Sequence, residues 1–224
     1  MPSRLPTGSP RLLRRLNSAA VLRAIRAQGP ISRAELARAT GLSKPTVREV
    51  GERLLQEGYV IESDGDAQAH PPRPGPRARL LRFNSRLGYV LGIDIGANKV
   101  LAFVADLSGE VEAAERRRTG QKERRDREAL LGLVATCAEQ ALAAAGVGLD
   151  QVKAAGVGTP GVVDPVSGRV TLAPQLGGWE GIELGRRLEE RFLCPVLVDN
   201  EVRLALLAER WQGKAKGIDH ALLV

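Results

Sequence analysis

The chain has 224 residues, 43% of them hydrophobic, which is enough to bury one large or two small cores and excludes global disorder. Its net charge of +7 is uneven: residues 1–85 carry 15 Lys/Arg against 7 Asp/Glu, whereas residues 86–224 carry 18 against 19. The basic excess therefore belongs to the first third, as the footprint of a phosphate-bearing partner, and a neutral region with another task follows it. Cys137 and Cys194 stand in unrelated contexts and point to neither a disulfide framework nor a zinc site. There is no apolar run of signal-peptide type, and no stretch reads as long enough to span a bilayer. His70 and His220 are lone histidines, expected in loops or a core rather than as ligands.

Residues 1–10, rich in Pro, Ser and Gly, are expected to form a disordered arm. Leu12, Leu13, Leu16, Ala20 and Ile25 recur at helical spacing and predict a first helix ending near Gly29-Pro30. The most informative stretch follows, ISRAELARATGLSKPTVREVGERLLQEGYVI. Ser32 is placed to cap a second helix, with Glu35 closing a capping box, and Gly41 permits a tight turn. Ser43 caps a third helix, with Pro45 in its first turn and Val47, Val50 and Leu54 on its core face. Lys44, Thr46, Arg48 and Glu49 occupy the opposite face. This is the pattern of a helix-turn-helix whose second helix enters the DNA major groove. Tyr59–Ile61 begins a strand, residues 62–78 form turns, and Arg79–Phe83 returns as a second strand, so residues 11–83 predict a winged helix.

Residues 84–88 read as a linker. Tyr89–Gly96 reads as a buried strand ending in a turn, and Val100–Asp106 and Glu110–Arg118 complete a three-stranded meander. Arg125–Ala145 is predicted as a long amphipathic helix, Val152–Val157 as a strand and Ile182–Phe192 as a helix. Val196–Val198 is a short strand leading into a helix over Glu201–Trp211, and His220–Val224 is expected to start another strand. The mixed order predicts an α/β sheet with packed helices. Because that last apolar run ends without a cap or turn, the chain is expected to be a fragment.

Three segments can carry chemistry. Asp94-Ile95-Gly96-Ala97-Asn98-Lys99 sits at a strand-to-strand turn, where an Asp can hold hydrated Mg²⁺ and turn N–H groups can cradle phosphate. A plain hairpin explains it equally well. Gly156-Val157-Gly158-Thr159-Pro160-Gly161-Val162-Val163-Asp164 makes a rigid loop open to close ligand approach, or a tight turn between strands. Asp199-Asn200-Glu201 opens a helix, where a carboxylate can act as a base or bind a sugar hydroxyl. By itself, an N-cap explains that triplet better.

Taken in order, YVLGIDIGANKV, GVGTPGVVDPVSGRV, APQLGGWEGIEL and VLVDNEVRLALLAER resemble successive elements of the ROK family of repressors and sugar kinases. The preceding winged helix and the RLLRFNSRLGYVLGIDIG junction resemble its repressor branch. The resemblance runs from about Leu12 to the last residue. It implies an N-terminal winged helix-turn-helix, mainly α with a β-wing, then an α/β actin-like ATPase lobe of ribonuclease H-like type, incomplete. Residues 89–224 would be the N-terminal ROK lobe. The C-terminal lobe, with the family's zinc motif and the ATP adenosine site, would lie beyond Val224, so no cofactor is assigned.

By the same resemblance, Asp94 and Gly96 fall at the phosphate and Mg²⁺ turn. Gly168, Arg169 and the Gln175–Trp179 loop fall where sugar is contacted, Asn200 on a sugar-binding asparagine and Glu201 on the catalytic base. That base is Asp in the kinases, and Ala97-Asn98 replaces their usual Gly-Thr. Arg203 and Gln175 stand where Asn is common. These departures imply a sensor rather than an enzyme.

The expected function is a cytoplasmic, nucleoid-associated transcriptional repressor of carbohydrate genes. Its partners would be double-stranded operator DNA, a sugar or sugar-phosphate effector and a second copy in a homodimer, with no membrane. Ser43, Lys44, Thr46 and Arg48 are the candidate DNA contacts of the recognition helix, and Arg73 and Arg77 those of the wing. Arg11, Arg14 and Arg15 would touch phosphate. The alternatives are an ATP-dependent sugar kinase and a truncated product without function.

Overall fold

In the computed structural model, residues 9–63 and 79–223 are described. They fall into two compact units, Met1–Leu87 and Gly88–Val224, each with its own hydrophobic core.

The first unit contains α1 (Pro10–Gln28), β1 (Ile31–Ser32), α2 (Arg33–Thr40), α3 (Lys44–Gln56), β2 (Val60–Ser63) and β3 (Leu80–Phe83). Both capping predictions correspond to observed bonds. The Ser32 hydroxyl accepts from Glu35 N–H at 3.3 Å, and Glu35 Oε2 accepts the Ser32 N–H at 3.0 Å, completing the capping box. Ser43 accepts from Thr46 N–H at 3.3 Å. Gly41 ends α2 in the left-handed region at φ 69°, which a β-carbon disfavours. Val21, Ile25, Ile31, Leu36, Val47, Val50, Leu54, Val60 and Leu81 close the core.

Three expectations change here. The sheet has three strands in the order β1-β3-β2, because Ile31 and Ser32 pair with Leu81 and Leu80 before the capping box begins. Leu12, Leu13 and Leu16, taken as part of the apolar face of α1, are exposed; Val21 and Ile25 make its buried contact. Ser85–Leu87 is one helical turn rather than open linker. It is anchored by Asn84, whose side-chain amide donates to Gly58 O at 2.9 Å.

The second unit begins with the antiparallel meander β4 (Tyr89–Ile95), β5 (Lys99–Asp106) and β6 (Val111–Arg118). A short unpredicted helix, α4 (Gln121–Arg125), precedes the predicted long helix, which is α5 (Arg127–Ala145). Asp126 breaks them apart, because its carboxylate caps α5 by accepting from Glu128 N–H at 2.9 Å and Ala129 N–H at 3.3 Å. Then come β7 (Val152–Thr159), β8 (Val162–Asp164), β9 (Arg169–Leu172), α6 (Leu184–Phe192), β10 (Val196–Asn200) and α7 (Glu201–Trp211).

The main sheet has the order β10-β7-β4-β5-β6, with β7 parallel to both β4 and β10. Alternation in β4 and β5 sends Leu91, Ile93, Ile95, Val100, Ala102 and Val104 into the core with Leu130, Val134, Cys137 and Ala138 of α5. By length and composition α5 could cross a membrane, contrary to the sequence expectation. Its Leu130, Val134, Cys137 and Ala141 are nevertheless buried in the core of this unit. Of the two readings of residues 156–164, the structure has the tight turn between strands, Pro160-Gly161 joining β7 to β8, and β8 pairs with β9 in a separate hairpin. Residues 220–223 are not a strand; they find no partner among the described residues, and Val224 lies outside them.

Candidate nucleic-acid interface and ligand lobe

On α3, Val47, Val50, Gly51 and Leu54 are buried, which turns Lys44, Arg48, Glu49 and Glu52 outward. Ser43 and Thr46 are bonded to each other through their hydroxyls at 2.8 Å and serve the cap, so Lys44 and Arg48 are the freer candidates for DNA. Arg48 Nε donates to Glu52 Oε1 at 2.9 Å. Its side chain is 76% exposed, and its two terminal nitrogens stay clear of that bond. Glu52 was missed in the sequence, although its spacing of four from Arg48 is the signal for it. At the base of the wing, Glu62 holds Arg33 at 2.9 Å and Arg79 at 2.8 Å. Both arginines, first through their hydrogen bonds, keep the Glu62 carboxyl below its ordinary pKa. The wing candidates Arg73 and Arg77, and His70, lie outside the described residues.

In the second unit the candidate residues do not share one place. Asp94 on β4 and Glu201 at the start of α7 converge across Gly158: a β-carbon there would stand 3.6 Å from Asp94 Oδ1 and 3.5 Å from Glu201 Cα. Burial first, and then the Asp94 charge, push Glu201 above the ordinary carboxylate pKa, while Lys99 opposes them. A cavity of ≈ 700 Å³ adjoins the pair, lined by Gly92, Phe103, Gly156 and Leu204 among others. The Gly96 N–H is spent on Lys99 O at 2.8 Å, so the phosphate turn lacks one of its donors. Thr119 further ties this turn, donating its N–H to Asn98 O and its hydroxyl to Gly96 O, both at 3.1 Å. Among the described residues no group of three or more His, Cys, Asp or Glu side chains could hold a metal.

Asn200 is the N-cap of α7. Its Oδ1 accepts from Val202 N–H at 2.9 Å and Arg203 N–H at 3.3 Å, and its amide donates to Gly161 O at 2.8 Å. Arg203 is drawn back to Asp199 at 3.3 Å. Gly168 has a packing reason to be glycine: at φ 65°, a β-carbon would stand 3.1 Å from Gly185 Cα. In the Gln175–Trp179 loop, Trp179 is buried and donates its indole N–H to Thr159 Oγ1 at 2.9 Å. Arg169 lines a different cavity from Glu201.

The first unit is a capped helix-turn-helix with a wing and the second a five-stranded α/β lobe. A winged helix-turn-helix DNA-binding family matches residues 15–61 and the ROK family matches residues 90–224. The chain belongs to the ROK family. It is 32% identical over 207 residues to the xylose repressor of Caldicellulosiruptor bescii, covering 92% of this chain and 50% of that one. To the DNA-binding transcriptional dual regulator NagC of Escherichia coli it is 31% identical, covering 97% of this chain and 52% of that one. The chain thus spans about half the length of the curated relatives it matches. A crystal structure of a ROK family transcriptional regulator, homolog of the E. coli MLC protein, superposes with TM-score 0.70 at 22% identity, covering 92% of this chain and 50% of that one, and shares its fold.

Proposed function

We propose that this chain is a bacterial cytoplasmic transcriptional regulator, a repressor of carbohydrate genes whose lobe responds to a sugar or sugar phosphate. The observation that carries it is α3: a helix capped at Ser43, buried on one side and presenting Lys44 and Arg48 on the other. Names of sugar repressors among the relatives support the same conclusion. Two copies would read a palindromic operator. The exposed Leu12, Leu13 and Leu16 stripe is one apolar surface available for pairing.

Arg48, with its terminal nitrogens free, is suited to bidentate contact with a guanine edge in the major groove. Selection from a randomised duplex library, followed by gel shift, tests this. Arg48→Ala is expected to lower discrimination between selected and scrambled duplex by roughly tenfold or more. Unchanged selectivity would remove α3 from base recognition.

An ATP-dependent sugar kinase is the second candidate, favoured by the Glu201–Asp94 pair. Against it, Glu201 is a methylene longer than the family's Asp, and such displacements cost rate steeply. Turnover of hexoses in a coupled ADP-release assay, lost in Glu201→Ala, would establish the kinase instead.

A further inference from the structure

A second cavity, of ≈ 450 Å³, opens beside the first turn of α6. Four guanidinium groups line it: Arg127 from the start of α5, Arg169 from β9, and Arg186 and Arg187 from α6. Their partners divide them into two kinds. Arg186 is held by Glu183 at 2.9 Å and Glu190 at 2.7 Å, and Arg187 by Glu128 through two bonds of 2.6 and 3.0 Å. These two charges are matched by carboxylates. Arg127 instead spends Nε and one terminal nitrogen on backbone carbonyls, those of Gly178 and Glu180. Arg169 has no side-chain partner among the described residues.

Glu183 and Glu190 also line the cavity, so with Glu128 its four guanidinium groups exceed the carboxylates by one, and Arg127 and Arg169 are the two without a carboxylate partner. Local sequence adds to the excess. Arg186 and Arg187 stand in the first turn of α6, where positive charge opposes the helix dipole, and the nearest acid of that helix end is the N-cap residue Glu183, already bonded to Arg186. Ordinary surface pairing accounts for Arg186 and Arg187, but it gives Arg169 and Arg127 nothing to neutralise. The planar fork of an arginine matches a phosphate or carboxylate edge with two parallel hydrogen bonds. Two arginine forks without a carboxylate partner suit the several oxygens of one phosphate group, and the volume suits a small-molecule ligand.

We infer that this cavity binds a small phosphate-bearing anion, with Arg169 and Arg127 as its principal ligands. The site is separate from the Asp94–Glu201 cavity and does not depend on the DNA-binding proposal. Because Arg127 also holds the carbonyls of Gly178 and Glu180, an anion drawing on it acts on the loop that carries Trp179.

Calorimetric titration of the full chain with inorganic phosphate, glucose 6-phosphate and glucose, at fixed ionic strength, tests the site. Both phosphate compounds are expected to bind and glucose is not. Arg169→Ala is expected to weaken binding by about tenfold or more. Arg210→Ala, on α7 and outside the cavity, is expected to leave it unchanged. Tighter binding of glucose 6-phosphate than of phosphate identifies an organic phosphate as the ligand; equal affinity identifies free phosphate. Absence of phosphate binding, glucose binding that Arg169→Ala weakens as much as it weakens phosphate binding, or equal loss in both variants overturns the inference.

Discussion

Arg48 is aimed by Glu52. A long, exposed arginine has many rotamers, and a carboxylate one turn away that takes its Nε removes most of them while leaving free the end proposed to read guanine. Glu52→Gln is therefore expected to reduce operator selectivity, by less than Arg48→Ala does, with affinity for scrambled duplex kept; competition gel shifts would show it. Glu201 gives a pH-dependent test. Its raised pKa means that the folded chain holds the proton more tightly than the unfolded chain. Its contribution to stability is thus greatest at low pH and falls as pH rises from the ordinary carboxylate value through the raised one. Glu201→Gln is expected to raise the melting temperature at about pH 7 and to match the parent near pH 4 or below. At this scale the caps were legible in the sequence, because Ser32, Glu35, Ser43 and Asn200 act on amides two or three residues away. The ligand set was not: Arg169 and Glu201 line different cavities, and only tertiary structure says which side chains share a wall.

Helices α2 and α3 are short, so their ends matter as much as their faces. Ser32→Ala removes one half of the capping box and is expected to cost the first unit about 1 kcal/mol, measured by denaturant unfolding. Gly161→Ala should disturb the second unit more. Its φ is 98°, and a β-carbon would stand 1.9 Å from Leu172 O, at the mouth of the β8–β9 hairpin. The longer helices and strands were located because periodicity repeats within them, whereas the five-residue α4 is too short to show one. The strands β1 and β8 have two and three residues, too few to show a period, and β1 exists only because β3 passes beside it. The expected strand near His220 erred the other way. Its apolar composition suits a strand, yet no described strand lies alongside to take its hydrogen bonds.

The division of charge foreshadowed the division into two cores. Since the first unit closes its own core, residues 1–87 alone are expected to bind duplex DNA with the same salt dependence as the full chain. The slope of log affinity against log salt should be about −0.9 for each phosphate contacted, and a shallower slope for the fragment would place basic contacts in the lobe. The parallel pairing of the lobe has one more consequence, which concerns time. The partner of Leu91 on β7 is Ala155, so β4 waits for more than sixty residues of further synthesis before its parallel neighbour exists. The winged helix has all its strands by Phe83. On the ribosome the first unit is therefore complete first, and, under the function proposed above, a chain interrupted between the two events would bind DNA before any lobe exists to answer a ligand.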